Sequence, residues 1–379
     1  MALRFGSTVL VRTGLLHRSN LQAATAVRTS SSGRGRLAFS TGATDKGGDD
    51  AAVQEENKAK INAAWNSSAE AYVGNIQDGA SSASLKVSSG MNVGYKLATR
   101  IVTSRYDKVQ PKEPGTQVVL DVASAGGEPA ITIAKAMPGA TVHATDFAPA
   151  MMDLIRKRAV EEGVSNVVAS VADGEALTGF GDESVDAVTC TWGLLFMPNW
   201  QRAIQEFSRV LKRDGVVAVT LWERQEGSVF QRMRNVVETL VPGFQLLIDA
   251  EALSEDGGSA VVEEMKAAGL CDVSASKFSV PVVLSADARP RDIWEHYTQS
   301  SPLGQTMSTL EKKGRTNIRQ EAMDIFEDAM NKDWAEGRAP LGLQKEDDNL
   351  AGGSSPAASR PPRIYYVRAL VVVGRKVGG

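Results

Sequence analysis

The stretch from Val118 to Asp146 constrains the fold most. It starts as an apolar strand (Val118-Val119-Leu120-Asp121-Val122) and passes through a small-residue turn (Ala123-Ser124-Ala125-Gly126-Gly127-Glu128) into a helix. It ends in a second strand, Thr141 to Asp146, closed by an acid. Small side chains in such a turn let a ligand approach the backbone. An acid at the tip of the next strand can hold both hydroxyls of a ribose. Together they place a nucleoside-bearing ligand at the carboxyl edge of an α/β sheet.

From residue 117 onward the pattern alternates. Strands are expected at 117–123, 141–146, 166–172, 185–192 and 216–222. Helices are expected near 128–137, 149–162 and 200–212, and the turn Lys212-Arg213-Asp214-Gly215 is expected to open the fifth strand. Val/Ile/Leu-rich strands separated by helices argue for a doubly wound, mostly parallel sheet. The core is placed at 115–285, behind an N-terminal helical segment at 51–110 that breaks at a Ser/Gly-rich stretch. Gly269 is expected to stop a helix at 259–268, with a strand at about 272–284 after it. Two or three helices at 286–340 carry Trp294, His296, Tyr297, Ile318 and Phe326. A polar, Gly/Pro-rich loop at 341–362 reads as disordered. The chain returns to the sheet at 363–376, so the helices at 286–340 read as a lid inserted before the last strand.

Charge is distributed unevenly. Residues 1–44 hold six arginines (Arg4, Arg12, Arg18, Arg28, Arg34, Arg36) and no acid, while the whole chain carries -3. The remainder is therefore at -9, which disfavours a nucleic-acid partner. The basic, Ser/Ala-rich stretch 1–45 matches an organelle transit peptide, for the mitochondrial matrix ahead of the plastid. No apolar run is long enough to span a bilayer. Two cysteines without CxxC spacing and three scattered histidines exclude a structural zinc site, and no metal is expected. Cys190, in an apolar strand, reads as a small core residue, and His143 as structural.

Four segments in this order resemble the class I S-adenosylmethionine-dependent methyltransferases, near the small-molecule and quinone branch. They are VVLDVASAGGEPA (118–130), ATDFAPAMM (144–152), ADGEAL (172–177) and VDAVTCTWGLLFMPN (185–199), with RVLKRDGVVAVTLW (209–222) following. Asp121 precedes Asp146 by 25 residues, and Asp146 precedes Asp173 by 27. Taken singly, Asp146 reads as a helix cap before Pro149, Asp173-Gly174 as a turn and Trp192 as core; their ordered combination selects the cofactor reading.

The resemblance implies a seven-stranded sheet and a site for S-adenosyl-L-methionine. Ala123, Ala125 and Gly127 would pass under the methionine part of the cofactor. Asp121 would position that loop and the methionine amino group. Asp146 would accept from the ribose hydroxyls, and Phe147 and Met151 would flank the adenine. Asp173, beside Ala172 and Gly174, would accept from the adenine amino group. Thr191 and Trp192 would lie beside the sulfonium, and Tyr72 would close over the cofactor. The family has glycine where this chain has Ala123 and Ala125, so Gly126 is expected to absorb the turn.

The implied activity is methyl transfer to a small, apolar or aromatic, quinone- or lipid-like acceptor. It needs no protein nucleophile. Should the acceptor require a base, His296 and Glu295 in the expected lid are the candidates. Two rival readings remain. A non-catalytic assembly protein could keep the fold and lose the reaction. An NAD(P)-dependent oxidoreductase would need Gly-x-Gly-x-x-Gly, where this chain has Ala123, Ala125 and Glu128; that acid would also repel a pyrophosphate at the helix start.

Overall fold

A computed structural model describes residues 47–74, 85–86, 88–106, 116–224, 227–242, 251–254, 256–284, 289–299, 303–336 and 363–377. The expected transit peptide at 1–45 and the expected loop at 341–362 lie outside them.

Eight strands form one sheet: β1 (Leu85–Lys86), β2 (Gln117–Val122), β3 (Ala140–Asp146), β4 (Val167–Val171), β5 (Val185–Thr191), β6 (Leu211–Trp222), β7 (Leu270–Leu284) and β8 (Arg363–Lys376). Their order is β1-β7-β8-β6-β5-β2-β3-β4. Neighbours from β4 to β6 are parallel, β8 runs antiparallel to both β6 and β7, and β1 runs antiparallel to β7. Seven of these strands make up the expected sheet. The two-residue β1 is an addition, inside a stretch expected to be only a break.

The helices are α1 (Gly47–Tyr72), α2 (Ser88–Tyr106), α3 (Ala130–Ala136), α4 (Ala150–Glu161), α5 (Trp200–Val210), α6 (Val229–Leu240), α7 (Ser259–Ala267), α8 (Pro290–Gln299), α9 (Leu303–Lys312) and α10 (Ile318–Ala335). Alternate residues of the central strands feed two apolar layers, as a period of two requires. Leu120, Val122, Val188 and Cys190 pack with Ile204 and Phe207 of α5 and with Val261 and Met265 of α7. Val119, Val142 and Ala187 pack on the other side with Val102 of α2, Ile133 of α3 and Ile155 of α4. Cys190 and these core side chains are fully buried.

The chain moves outward from β2 to β3 to β4 and then crosses back to β5, on the other side of β2. This reversal opens a crevice beyond the carboxyl ends of β2 and β5, the usual ligand position in open α/β sheets.

Two local expectations are corrected. The turn at 212–215 does not open β6; it lies within the strand as a bulge, with Val185 opposite Leu211 and Ala187 opposite Val216. Asp214 takes φ 62° there. Helix α6 was not expected. Its start is set by Ser228, whose hydroxyl accepts from the Gln231 N–H (3.1 Å). The Gln231 side chain reaches back to accept from the Gly227 N–H (2.6 Å).

The helices α8 to α10 sit between β7 and β8 in the chain, but they do not close the crevice. Ile293, Trp294, Met307, Leu310, Ile318, Phe326 and Met330 form one buried cluster with Met233, Val236 and Val237 of α6, Val282 of β7 and Val367 of β8. No described helix is long and apolar enough to cross a membrane.

Candidate functional site

A cleft of about 710 Å³, counted to its open mouth, lies over the carboxyl ends of β2 to β5. Each strand end contributes a segment. Val122, Ala123 and Ala125 follow β2, Asp146 to Ala148 follow β3, Ala172 to Glu175 follow β4, and Thr191 to Gly193 with Phe196 to Pro198 follow β5. Met151 of α4 and Lys58, Ile61, Trp65 and Tyr72 of α1 complete the walls.

The turn after β2 is held by a buried carboxylate. Asp121 accepts from the hydroxyls of Ser124 and Thr189, each at 2.6 Å. It is fully buried. Burial pushes its pKa up to about 7, against the opposing hydrogen bonds from Ser124, Thr189 and the Ala130 N–H. Asp146 then ties the turn to β3. One of its oxygens accepts from the Ala125 N–H and the other from the Ala148 N–H, both at 2.9 Å. Burial raises this carboxyl too, opposed by the N–H groups of Ala148, Ala125 and Phe147.

Gly126 does not absorb the turn. The left-handed backbone falls on Ala123 (φ 59°), Ala125 (φ 48°) and Gly127 (φ 104°). A methyl group in that region costs about 1 kcal/mol or more at each alanine. Only Gly127 meets the demand without strain, and a Cβ there would lie 2.8 Å from Ile131 Cδ1. The floor is also tight: a Cβ on Gly174 would sit 2.6 Å from Met197 Cε and 3.0 Å from Val122 Cγ1, so the methionine end would have to shift to admit it.

The wall beyond β5 is aromatic. Trp192, itself at φ 55°, stacks on Trp222 at 4.7 Å and meets Tyr95 edge-on at 5.6 Å. Trp65 meets Tyr72 at 5.1 Å and Phe196 at 4.9 Å, both edge-on. Tyr72 and Tyr95 share a hydrogen bond; burial pushes the Tyr72 hydroxyl up to about 12 and raises that of Tyr95 well above its ordinary value. Two polar atoms in this wall, Thr191 Oγ1 and Trp192 Nε1, are buried with no hydrogen-bond partner among the described residues.

Eleven of the thirteen expected cofactor residues therefore face one cleft: Tyr72, Ala123, Ala125, Asp146, Phe147, Met151, Ala172, Asp173, Gly174, Thr191 and Trp192. Asp121 and Gly127 stand behind it, as supports of the turn. Sequence reasoning missed Lys58, Ile61, Trp65, Glu175, Phe196, Met197 and Pro198. The expected bases are misplaced. His296 is buried in α8 and Glu295 is exposed on the same helix, and neither lines the cleft. Burial alone lowers the His296 pKa to about 4. The physical reason is packing: this side of α8 turns into the apolar cluster shared with α6 and α10. Among the described residues no group of His, Cys, Asp and Glu has the arrangement of a metal site.

Residues 120–219 match the family described as a methyltransferase domain. This stretch is a methyltransferase domain. The chain is also 32% identical over 145 residues to the ubiquinone/menaquinone biosynthesis C-methyltransferase of Zymomonas mobilis, covering 38% of this chain and 58% of that protein. It is 35% identical over 107 residues to the demethylmenaquinone methyltransferase of Thermus thermophilus, covering 28% of this chain and 48% of that protein. The chain thus spans about half the length of the curated relatives it matches. Among solved structures, the YcgJ protein of Bacillus subtilis aligns with a TM-score of 0.45 at 17% identity, over 76% of this chain and 99% of that one. The matched stretch contains the second half of β2, all of β3 to β5, most of β6, and every strand end that lines the cleft.

Proposed function

We propose that this protein transfers a methyl group from S-adenosylmethionine to a small, apolar or aromatic acceptor. The observation that carries the reading is convergence: Asp146, Asp173 and the 123–127 turn reach one cleft from three different strand ends. The residues present fit the cofactor. A floor of small residues leaves room for a close approach, and the buried Thr191 hydroxyl and Trp192 indole N–H need a polar partner that the described residues do not supply.

Asp146 keeps lone pairs beyond those taken by its backbone N–H donors and would take the ribose hydroxyls. Phe147 and Met151 would flank the base, with Asp173 at its amino group. Asp121 and Gly127 act from behind, by fixing the turn. Aromatic faces of Trp65, Trp192 and Phe196 suit a cation, by about 0.5–2 kcal/mol. When bound, the cofactor supplies an activated methyl group on a good leaving group. The chain's own contribution is alignment and exclusion of water.

His296 and Glu295 take no part. Two relatives are named as a ubiquinone/menaquinone biosynthesis C-methyltransferase and a demethylmenaquinone methyltransferase, and the acid-free, arginine-rich residues 1–44 support a mitochondrial matrix address. Both favour a quinone- or lipid-like acceptor.

Titration calorimetry with S-adenosylmethionine tests the reading. The wild-type chain is expected to bind, and Asp146→Ala to weaken binding by about 10- to 100-fold. Equal affinity in the two proteins would overturn it.

A further inference from the structure

Helix α1 presents Lys58, Ile61, Trp65 and Tyr72 to the cleft, at spacings that keep them on one helical face. Lys58 makes the charged contact. Its Nζ lies 2.5 Å from Asp173 Oδ2 and 2.8 Å from Glu175 Oε2. Two lighter threads run beside it: Asn62 Nδ2 donates to the Phe147 carbonyl (3.4 Å), and the Ala150 N–H donates to Asn66 Oδ1 (3.0 Å).

The two carboxylates are not equivalent. Glu175 is 9% exposed at its side chain, and its second oxygen is fixed by the Asn199 N–H at 2.9 Å. Asp173 is 29% exposed, and its second oxygen accepts from the Glu175 N–H at 2.9 Å. The oxygen of Asp173 that holds Lys58 belongs to the residue expected to meet the adenine amino group. Lys58 and that amino group are both donors and compete for one acceptor. Glu175 lets Lys58 yield without losing its anchor. Burial pulls the lysine pKa down, but the hydrogen bonds and charges of Asp173 and Glu175 leave it raised, so it stays an ammonium at neutral pH.

We propose that Lys58 is a positioning residue of the cofactor site: it latches α1 shut over the nucleoside end of the cleft, and on loading it cedes Asp173 to the adenine amino group while keeping Glu175. This rests on the cofactor reading above. Release of the cofactor must then part Lys58 from Glu175, so the latch sets residence time more than it sets the chemistry.

The test is release of S-adenosylhomocysteine from the full chain, followed by tryptophan fluorescence (Trp65 and Trp192 line the cleft), in wild type, Lys58→Met, Lys58→Arg and Glu175→Gln. Hydrogen exchange of α1 is measured on the same proteins without ligand. Lys58→Met and Glu175→Gln are expected to speed release by about tenfold, and Lys58→Arg to restore most of the wild-type rate. Added salt should speed wild-type release and leave Lys58→Met unchanged, because screening acts on the ion pair alone. Amides of α1 should exchange faster in Lys58→Met. Wild-type release and exchange in Lys58→Met would overturn the latch, as would a Lys58→Met that keeps the wild-type salt dependence. A wild type that takes up no S-adenosylhomocysteine would instead overturn the cofactor reading.

Discussion

Two helical regions flank the sheet, and they differ in what they cover. Helix α1 lays a charged and aromatic face over the cleft: Lys58 to Asp173 and Glu175, Trp65 against Phe196 and Tyr72. The α8–α10 insertion has more aromatic and apolar residues, yet among the described residues it contributes none to the cleft. Its apolar faces close on each other, with Trp294 and Phe326 at 5.3 Å and both buried. An amphipathic helix shows that one face is buried. It does not show against what, because the partner is chosen by topology. The insertion leaves the sheet from β7 and returns to it at β8, so it packs beside that pair and on α6.

The difference can be broken most forcefully at Phe326. Truncation to alanine removes a fully buried ring from the insertion's core, and unfolding stability is expected to fall by about 3–5 kcal/mol. Urea unfolding measures the loss. Affinity of the folded protein for S-adenosylhomocysteine should not change. A parallel loss of affinity would show that the insertion governs the cleft after all.

His296 gives the next effect, and it depends on pH. Its pKa is about 4 in the fold against about 6.5 in the unfolded chain. The fold favours the neutral imidazole. Its contribution is therefore complete above pH 6.5 and is lost as pH falls toward 4, by about 3 kcal/mol at most. Asp121 works in the opposite direction over much of this range, since its raised pKa lets the fold take up a proton first. The informative quantity is thus a difference between proteins. His296→Gln should gain on wild type, in stability, as pH falls from 6.5 to 4. At pH 8 its turnover should match wild type; a large loss there would return a base to α8.

Trp65→Ala probes the other region with a smaller energy. The side chain is only half-buried, so stability should fall little. Cofactor affinity should fall about tenfold, through the lost aromatic wall. Equal losses in both quantities would erase the distinction between cover and core.

The same contrast explains what the sequence makes legible. Asp121, Asp146 and Asp173 each stand at or just beyond a strand end. Strand period and spacing locate such ends from local information alone, and the cleft is built from them. Lys58 carries no such local mark. It reaches Asp173 because α1 crosses α4, a contact between residues more than a hundred positions apart. His296 misled for the same reason: a histidine among aromatics on a helix reads alike in a cleft and in a core. Helix α6, though not expected, carries a local start signal. Ser228 and Gln231 form a start signal three residues apart, ahead of Val229, Met233, Val236 and Val237 on one face.

Backbone strain divides the two regions as well. Of the six described non-glycine residues with positive φ, Ala123, Ala125 and Trp192 line the cleft, and none lies in α8–α10. Strain of this kind persists only where surrounding contacts over-determine it. At Ala125 those contacts are visible, since its N–H is held by Asp146. Ala125→Gly removes a left-handed penalty of about 1–2 kcal/mol and gives back about 0.4–1 kcal/mol through a more flexible unfolded chain. The expected outcome is a small net stabilisation, about 1 kcal/mol or less, read as a rise in the urea midpoint with unchanged slope. Cofactor affinity is the sharper reading. If the Asp146 bond alone fixes the turn, the glycine variant binds as wild type does. If the alanine methyl also fixes it, the loop gains freedom and affinity drops while stability rises, an opposition that no substitution in the α8–α10 core should produce.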